Sequence, residues 1–70
     1  MDKRISESLR KLRISRNLSQ SNLGKAIGIS RSKISSWEIG RRDISMNDAI
    51  VVVNFFGVNL DLLMNPDQIA

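Results

Sequence analysis

Residues 19–40 read SQSNLGKAIGISRSKISSWEIG and predict two short helices joined by a tight turn. Ser19 and Ser30 stand where a hydroxyl can accept a hydrogen bond from the first turn of a helix. Between them, Gly28 stands where a helix ends in a left-handed residue, a conformation that glycine adopts without steric cost. The second helix is therefore expected to span about residues 31–39.

The predicted second helix separates into an apolar side and a polar side. When its residues are placed at ~100° intervals, Ile34 and Trp37 fall together and are expected in the core. The opposite side carries Arg31, Ser32, Ser35 and Ser36. Small side chains let a helix approach base edges closely, hydroxyls pair with donors or acceptors, and arginine can make a bidentate contact to guanine. An ordinary exposed helix face more often carries Glu, Lys and Gln, so the pattern favours a surface that reads DNA.

The remaining sequence predicts three further helices and no strand. Ile5, Leu9 and Leu12 recur at helical spacing in a first helix, while Ser45 and Asn59 can cap a fourth and a fifth. On the second helix, the expected inner face is Leu23, Ala26 and Ile27. The predicted helices cover about residues 2–15, 20–27, 31–39, 46–56 and 60–64.

Length and composition indicate one domain. Seventy residues lie near the lower limit at which a single core holds a chain together unaided, and the sequence has no cysteine. We therefore predict an all-α, five-helix domain over residues 1–70, with its core in about 3–64 and a C-terminal tail at 65–70. No apolar run approaches the roughly 18–20 residues of a membrane span, and no secretory signal is recognisable. A cytoplasmic protein with no membrane partner is expected.

Charge is divided unevenly along the chain. All eleven Lys and Arg lie in residues 1–42 with three acidic residues, which gives this part a net charge of +8. Residues 43–70 hold four Asp and no basic residue, a net charge of −4. A basic half joined to an acidic half indicates that one face meets a polyanion and the other does not. For charge alone, an ordinary solvated surface is an equal alternative.

Motifs follow one another at fixed spacing through most of the chain, at Leu9–Arg13, Leu18–Gln20, Leu23–Gly24, Ile27–Ser32, Ile34–Ser35, Trp37–Arg42 and Phe56–Leu63. This series resembles the helix-turn-helix domain of the phage repressor and Cro family, which also includes restriction-modification controller proteins and several antitoxins. The resemblance covers about residues 5–64 and is far more specific than one short motif. It implies a lambda-repressor-like DNA-binding domain in which helices two and three form the helix-turn-helix.

The resemblance also implies roles for individual residues. The base-reading positions correspond to Arg31, Ser32 and Ser36, with Ser35 nearby. The expected phosphate contacts are Gln20, Arg41 and Arg42, with Lys33 and Arg16 as further candidates that are equally consistent with solvated charges. Gln20 corresponds to a residue that also braces the recognition helix. Arg13 and Glu38 correspond to an ion pair between the first helix and the recognition helix, so a structural role is expected for Arg13.

Three places depart from the family pattern. Gly24 stands where alanine is common and is expected to cost the second helix about 0.5–1 kcal/mol. Ile39 stands where a polar residue is common, which removes one phosphate contact. Asp43 and Ile44 replace a frequent proline after the basic pair, which makes that loop less rigid.

The predicted fourth helix carries more apolar surface than a core face requires. Val51 and Phe55 lie one turn apart on its outer side, and together with Leu60 and Met64 they predict a homodimer surface. The alternative is that Phe55 folds against residues 68–70. A two-fold dimer would place two recognition helices about 34–36 Å apart, in successive major grooves of a palindromic operator.

The sequence therefore predicts a sequence-specific regulator of transcription, a homodimeric repressor that binds double-stranded DNA. The alternative is an antitoxin or another protein-interaction module of the same fold, in which the outer apolar residues bind a second protein. An enzyme is the third class. The chain has no His or Cys, no metal-ligand spacing and no clustered carboxylates, so we expect no catalysis, cofactor, metal or small-molecule ligand.

Overall fold

The computed structural model describes residues 2–70, which fold into helices without a β-strand. Four α-helices come first and two short 3₁₀ segments follow. Their bounds are α1 Lys3–Ser15, α2 Gln20–Ile27, α3 Arg31–Glu38 and α4 Met46–Phe56, with the 3₁₀ segments at Leu60–Met64 and Pro66–Gln68. The all-α prediction is confirmed. No helix in this part of the chain is long and apolar enough to cross a membrane.

The prediction of a fifth α-helix is wrong, because the segment after α4 is a 3₁₀ helix. Asn59 caps this segment as expected, its side chain accepting a hydrogen bond from the Leu62 amide. The backbone bonds, however, span only three residues: the Leu62 amide donates to the Asn59 carbonyl at 3.2 Å, and the Asn65 amide donates to the Leu62 carbonyl at 3.0 Å. Only six residues separate Asn59 from Pro66, which leaves little room for an α-helical ladder, and short 3₁₀ turns are common in such places.

Serine caps and left-handed residues set the boundaries of the α-helices. Ser19, Ser30 and Ser45 each accept a hydrogen bond from the amide three residues further on, at 2.9, 3.2 and 3.1 Å. Asn17 has a φ of 55° where α1 ends, and Gly28 has a φ of 72° at the end of α2. These boundaries lie where the sequence predicted them, and they fix both ends of α2 and the start of α3, the two helices of the helix-turn-helix.

One core is shared by all four α-helices. Ile34, Trp37 and Val52 are the most deeply buried of its apolar side chains. On α2, Leu23 and Gly24 are buried and Ala26 is exposed, so the inward placement predicted for Ala26 is wrong. The physical reason is the direction of packing: α2 meets α3 through its Gly24 side, which turns Ala26 toward solvent.

Gly24 lies where α2 touches the turn into α3. A Cβ at this position would lie 2.5 Å from the carbonyl oxygen of Ile29, a backbone atom. In the same place, the Ile29 amide donates to the Gly24 carbonyl at 3.0 Å. The expectation that Gly24 merely weakens α2 is therefore corrected, because the missing side chain allows the two backbone segments to approach closely.

The C-terminal residues pack against α1. Ser8 Oγ donates to the Leu63 carbonyl at 2.9 Å, and Lys11 Nζ donates to the Pro66 carbonyl at 3.1 Å. Pro66 is buried, and Ile69 packs against the core. The predicted tail at residues 65–70 thus contributes to the packed domain up to Ile69.

Candidate nucleic-acid interface

The core holds α3 by one side and leaves its other side accessible. Ile34 and Trp37 are each only 1% exposed. On the opposite side, Arg31 and Ser32 are exposed, while Ser35 and Ser36 are half-buried. The structure therefore brings the four predicted base-reading residues together on one accessible helix face, with Arg31 and Ser32 the most exposed of them.

A half-buried polar cluster around Glu38, here called the Glu38 cluster and formed by Arg13, Leu18, Gln20 and Glu38, fixes the C-terminal end of α3. Arg13 donates from Nε to Glu38 Oε2 at 2.8 Å and from Nη2 to Glu38 Oε1 at 2.9 Å, while its Nη1 donates to the Leu18 carbonyl at 2.8 Å. The Glu38 side chain is 5% exposed. Hydrogen bonding to Glu38 raises the pKa of Arg13 above its ordinary value, so the guanidinium stays charged.

Gln20 connects this cluster to the start of α2. Its side-chain Nε2 donates to Glu38 Oε1 at 3.2 Å, so that the Glu38 carboxylate accepts from helices α1 and α2 at once. A carboxamide has two N–H donors and one carbonyl acceptor, and the bond to Glu38 uses one donor. This bond holds Gln20 in one orientation at the N-terminal end of α2, which is the end that an expected phosphate would approach.

Arg41 and Arg42 lie in the loop that follows α3, and both residues are exposed. Their amides donate to the same acceptor, the Ser36 carbonyl, at 2.9 and 3.3 Å. The loop therefore folds back over the last turn of α3. Two exposed guanidinium groups consequently lie beside the reading helix.

Two further predicted phosphate contacts, Arg16 and Lys33, also have partners inside the chain. Arg16 Nη2 donates to the Phe56 carbonyl at 2.8 Å, and its guanidinium lies 5.3 Å from the centre of the Phe56 ring. Lys33 Nζ lies 3.2 Å from Asp48 Oδ2. Arg16 thus ties the end of α1 to the end of α4, and Lys33 ties α3 to the first turn of α4.

The four residues of the predicted dimer surface do not form one patch. Leu60 and Met64 line an apolar groove of about 210 Å³ together with Met46, whereas Val51 and Phe55 do not line it. The complete lining is Ile5, Ile44, Met46, Ala49, Leu60, Leu63 and Met64. The helical angle explains the separation, because Val51 and Phe55 lie ~140–180° around α4 from Met46.

Sequence reasoning missed two exposed apolar residues on α4, one of which, Met46, lines this groove. Met46 is 65% exposed and Ile50 is 41% exposed, one turn apart on α4. The same i, i+4 spacing that drew attention to Val51 and Phe55 could have identified them. Phe55 packs edge-to-face on Phe56 with ring centres 5.1 Å apart and remains partly exposed.

The fold and the face of α3 are those of a DNA-binding helix-turn-helix domain, and comparisons with known proteins agree. The helix-turn-helix family profile matches residues 9–63. The structure is similar to the crystal structure of the restriction-modification controller protein C.AhdI from Aeromonas hydrophila, with a TM-score of 0.80 and 26% identity over 87% of this chain and 92% of that one.

Similar sequences carry names of transcription regulators. The chain is 33% identical over 65 residues to the transcriptional activator BcrR of Enterococcus faecalis, covering 93% of this chain and 32% of that protein. It is 34% identical over 64 residues to the regulator YqaE of Bacillus subtilis, covering 91% of this chain and 55% of YqaE. It is 35% identical over 57 residues to the regulator MJ0272 of Methanocaldococcus jannaschii, covering 81% of this chain and 86% of MJ0272.

The chain belongs to the helix-turn-helix family of Cro and C1 type, a family of DNA-binding transcription regulators. It spans about a third of BcrR and about half of YqaE. What those longer proteins do outside the matched segment is therefore no guide to this chain.

Proposed function

We propose that this protein is a homodimeric repressor that reads a near-palindromic operator through α3 in the major groove. The accessible polar face of α3, opposite the buried Ile34 and Trp37, is the observation that carries this proposal. Because the core and the Glu38 cluster both fix α3, its reading face reaches DNA already ordered. A dimer bound to an operator within a promoter would exclude the polymerase, which makes repression the simplest consequence of binding.

The reading face carries one long side chain and three short ones, which are suited to different contacts with DNA. Arg31, at the first position of α3, has the length and the paired donors to contact O6 and N7 of a guanine. The serine hydroxyls contact base edges or phosphates at shorter range, and they allow the helix backbone to approach the groove floor. The proposed base contacts are Arg31, Ser32 and Ser36, with Ser35 at the edge of the face.

Phosphate contacts are proposed for Gln20, Arg41 and Arg42. These residues flank the reading helix at the start of α2 and in the loop after α3, so they would set its depth and register in the groove. Arg16 and Lys33 are left out of this set, because the structure pairs them with Phe56 and Asp48. Gln20 stays in the set, because its bond to Glu38 uses only one of its two N–H donors.

For the homodimer, we propose the apolar groove around Leu60 and Met64 as the contact surface. Ile44 lines this groove and follows Arg42 by two residues, so a two-fold axis through the groove would bring two basic loops toward the centre of one operator. The exposed Met46 beside it would be buried in the same contact. Leu60 and Met64 thus retain the role predicted from sequence.

The second candidate function is binding to another protein, as in an antitoxin-type module. It is favoured by one observation: Val51 and Phe55 are 40% and 37% exposed on the flank of α4 away from the groove. A partner protein could cover this flank without competing with the proposed homodimer. Co-purification of a second protein that is lost in Val51→Lys would support this candidate.

The experiment that tests the proposal is selection of binding sites from a random duplex pool, followed by titration of the winners across a salt series. An inverted repeat whose half-sites lie about one helical turn apart would support a dimeric operator-binding protein. Weak binding without a consensus, falling steeply with salt, would contradict it and indicate a generic polyanion surface. A reporter with the selected site in its promoter then distinguishes repression from activation.

A further inference from the structure

Lys33 and Asp48 are held against each other by two matching helix starts. Each is the third residue of its helix, α3 or α4. The Lys33 amide donates to Ser30 Oγ at 3.2 Å, and the Asp48 amide donates to Ser45 Oγ at 3.1 Å. Both backbones are therefore fixed where the two side chains meet, with Nζ 3.2 Å from Oδ2.

The electrostatics of the two helix ends favour this pairing. The N-terminus of a helix carries partial positive charge, so a carboxylate is stabilised there and an ammonium group is not. Lys33 stands in the first turn of α3, where its charge is unfavourable, whereas Asp48 stands in the first turn of α4, where its charge is favourable. The Asp48 carboxylate thus supplies the negative charge that the start of α3 lacks.

We propose that Asp48 masks Lys33 from the DNA backbone and so lowers the affinity of this domain for DNA of any sequence. The inference rests on the DNA binding proposed above. Lys33 borders the reading face, and its side chain is 40% exposed, so a phosphate could reach it. In this structure the ammonium group lies 3.2 Å from the carboxylate of Asp48, which competes with such a phosphate for the same group.

The expected size of the effect follows from counterion release. One additional lysine–phosphate contact changes the slope of log K against log[salt] by about −0.9, which corresponds to roughly fivefold tighter binding at ~0.15 M salt. The gain applies equally to specific and random DNA, because a phosphate contact carries no sequence information. Masking Lys33 therefore reduces the amount of protein that is held on non-operator DNA.

The test is a double-mutant cycle on the full chain. Asp48→Asn, Lys33→Gln and the double variant are titrated with one random-sequence duplex at several salt concentrations. Asp61→Asn serves as the control, since it removes an equal charge from an exposed residue of the first 3₁₀ segment. Thermal melting of each variant establishes that it is folded at the temperature of the titration.

We expect Asp48→Asn to bind about fivefold tighter at ~0.15 M salt with a slope steeper by about 0.9, and Lys33→Gln to reverse both changes. Lys33→Gln alone should change affinity by less than about twofold, because Asp48 already neutralises the charge of Lys33. Asp61→Asn should also change it by less than about twofold, because a distant charge is screened. The inference is overturned if Lys33→Gln lowers the DNA affinity of the unmodified protein as much as it lowers that of Asp48→Asn. Such a result would mean that Lys33 separates from Asp48 when the protein binds DNA. It is also overturned if Asp48→Asn has no effect while the unmodified protein binds the duplex. If the unmodified protein binds neither this duplex nor any selected site, the proposed function fails and the inference fails with it.

Discussion

The side chains around α3 and those on the outer side of α4 differ in whether they have partners within the chain. In and beside α3, Glu38 and Lys33 are paired with Arg13 and Asp48, and the Glu38 side chain is 5% exposed among its three donors. Along α4 and the segment after it, apolar groups remain accessible, with Phe55 at 37% and Leu60 at 39%. The reading surface is thus ordered by its own chain, whereas the apolar surface can be buried only against a second molecule.

The largest expected effect comes from breaking the internal pairing beside α3. Glu38→Ala leaves the Arg13 guanidinium largely buried without its carboxylate, so we expect the free energy of unfolding to fall by about 3–5 kcal/mol. Urea denaturation measures this loss. The matched control is the double variant Arg13→Met/Glu38→Leu, which should recover most of it because no buried charge is stranded. A loss below about 1 kcal/mol would show that the pair behaves like an exposed one.

The next effect concerns the apolar side. Leu60→Glu places a carboxylate at the rim of the apolar groove, and we expect the dissociation constant of the proposed homodimer to rise about a hundredfold, or ~2.7 kcal/mol. Phe55→Glu makes the same kind of change on the opposite flank of α4 and should leave the dimer intact. Sedimentation equilibrium distinguishes the two variants. A dimer that resists Leu60→Glu and dissociates with Phe55→Glu would move the contact surface to Val51 and Phe55.

A smaller effect is expected on the reading face itself. Arg31→Ala should weaken binding to the best operator by about 1–3 kcal/mol and relax the preference at one base pair, with the folded state unchanged. Competition titrations against operators altered at single positions measure both quantities. Arg41→Ala is the matched control, since loss of a phosphate contact weakens all sequences alike and flattens the salt slope. If Arg31→Ala does the same, Arg31 is a phosphate contact.

Most of the fold could be predicted because it depends on local signals. Ser19, Ser30 and Ser45 cap α2, α3 and α4 where the sequence placed them, while Asn17 and Gly28 lie at the ends of α1 and α2. The fifth helix could not be distinguished from a 3₁₀ turn, because Asn59 caps either one and the difference lies in which carbonyl each amide reaches.

The site residues show the same limit. The face of α3 follows from helical periodicity, which is a property of the sequence alone. The partners of Arg16 and Lys33 do not, because Phe56 and Asp48 are 40 and 15 residues away along the chain and meet them only after α4 has packed. The helical angle separates Val51 and Phe55 from Met46, but the meeting of Leu60 and Met64 with Met46 in one groove depends on where the chain turns after Gly57.

The smallest expected effect tests how closely the two helices of the reading half approach each other. Helix propensity predicts that Gly24→Ala stabilises α2 by about 0.5–1 kcal/mol, whereas overpacking against the Ile29 carbonyl costs about 1–3 kcal/mol. We expect the overpacking to prevail, so that the free energy of unfolding measured by urea denaturation falls by about 1–2 kcal/mol.

Gly57 in the other half provides the control, because its φ of 70° strains alanine although nothing lies within 4 Å of the added Cβ. Gly57→Asn should therefore be milder than Gly57→Ala, since asparagine tolerates that φ, while Gly24→Asn should be at least as harmful as Gly24→Ala. A more stable Gly24→Ala variant would mean that the turn can move away from α2, and that the helix-turn-helix is less rigid than the Glu38 cluster alone suggests.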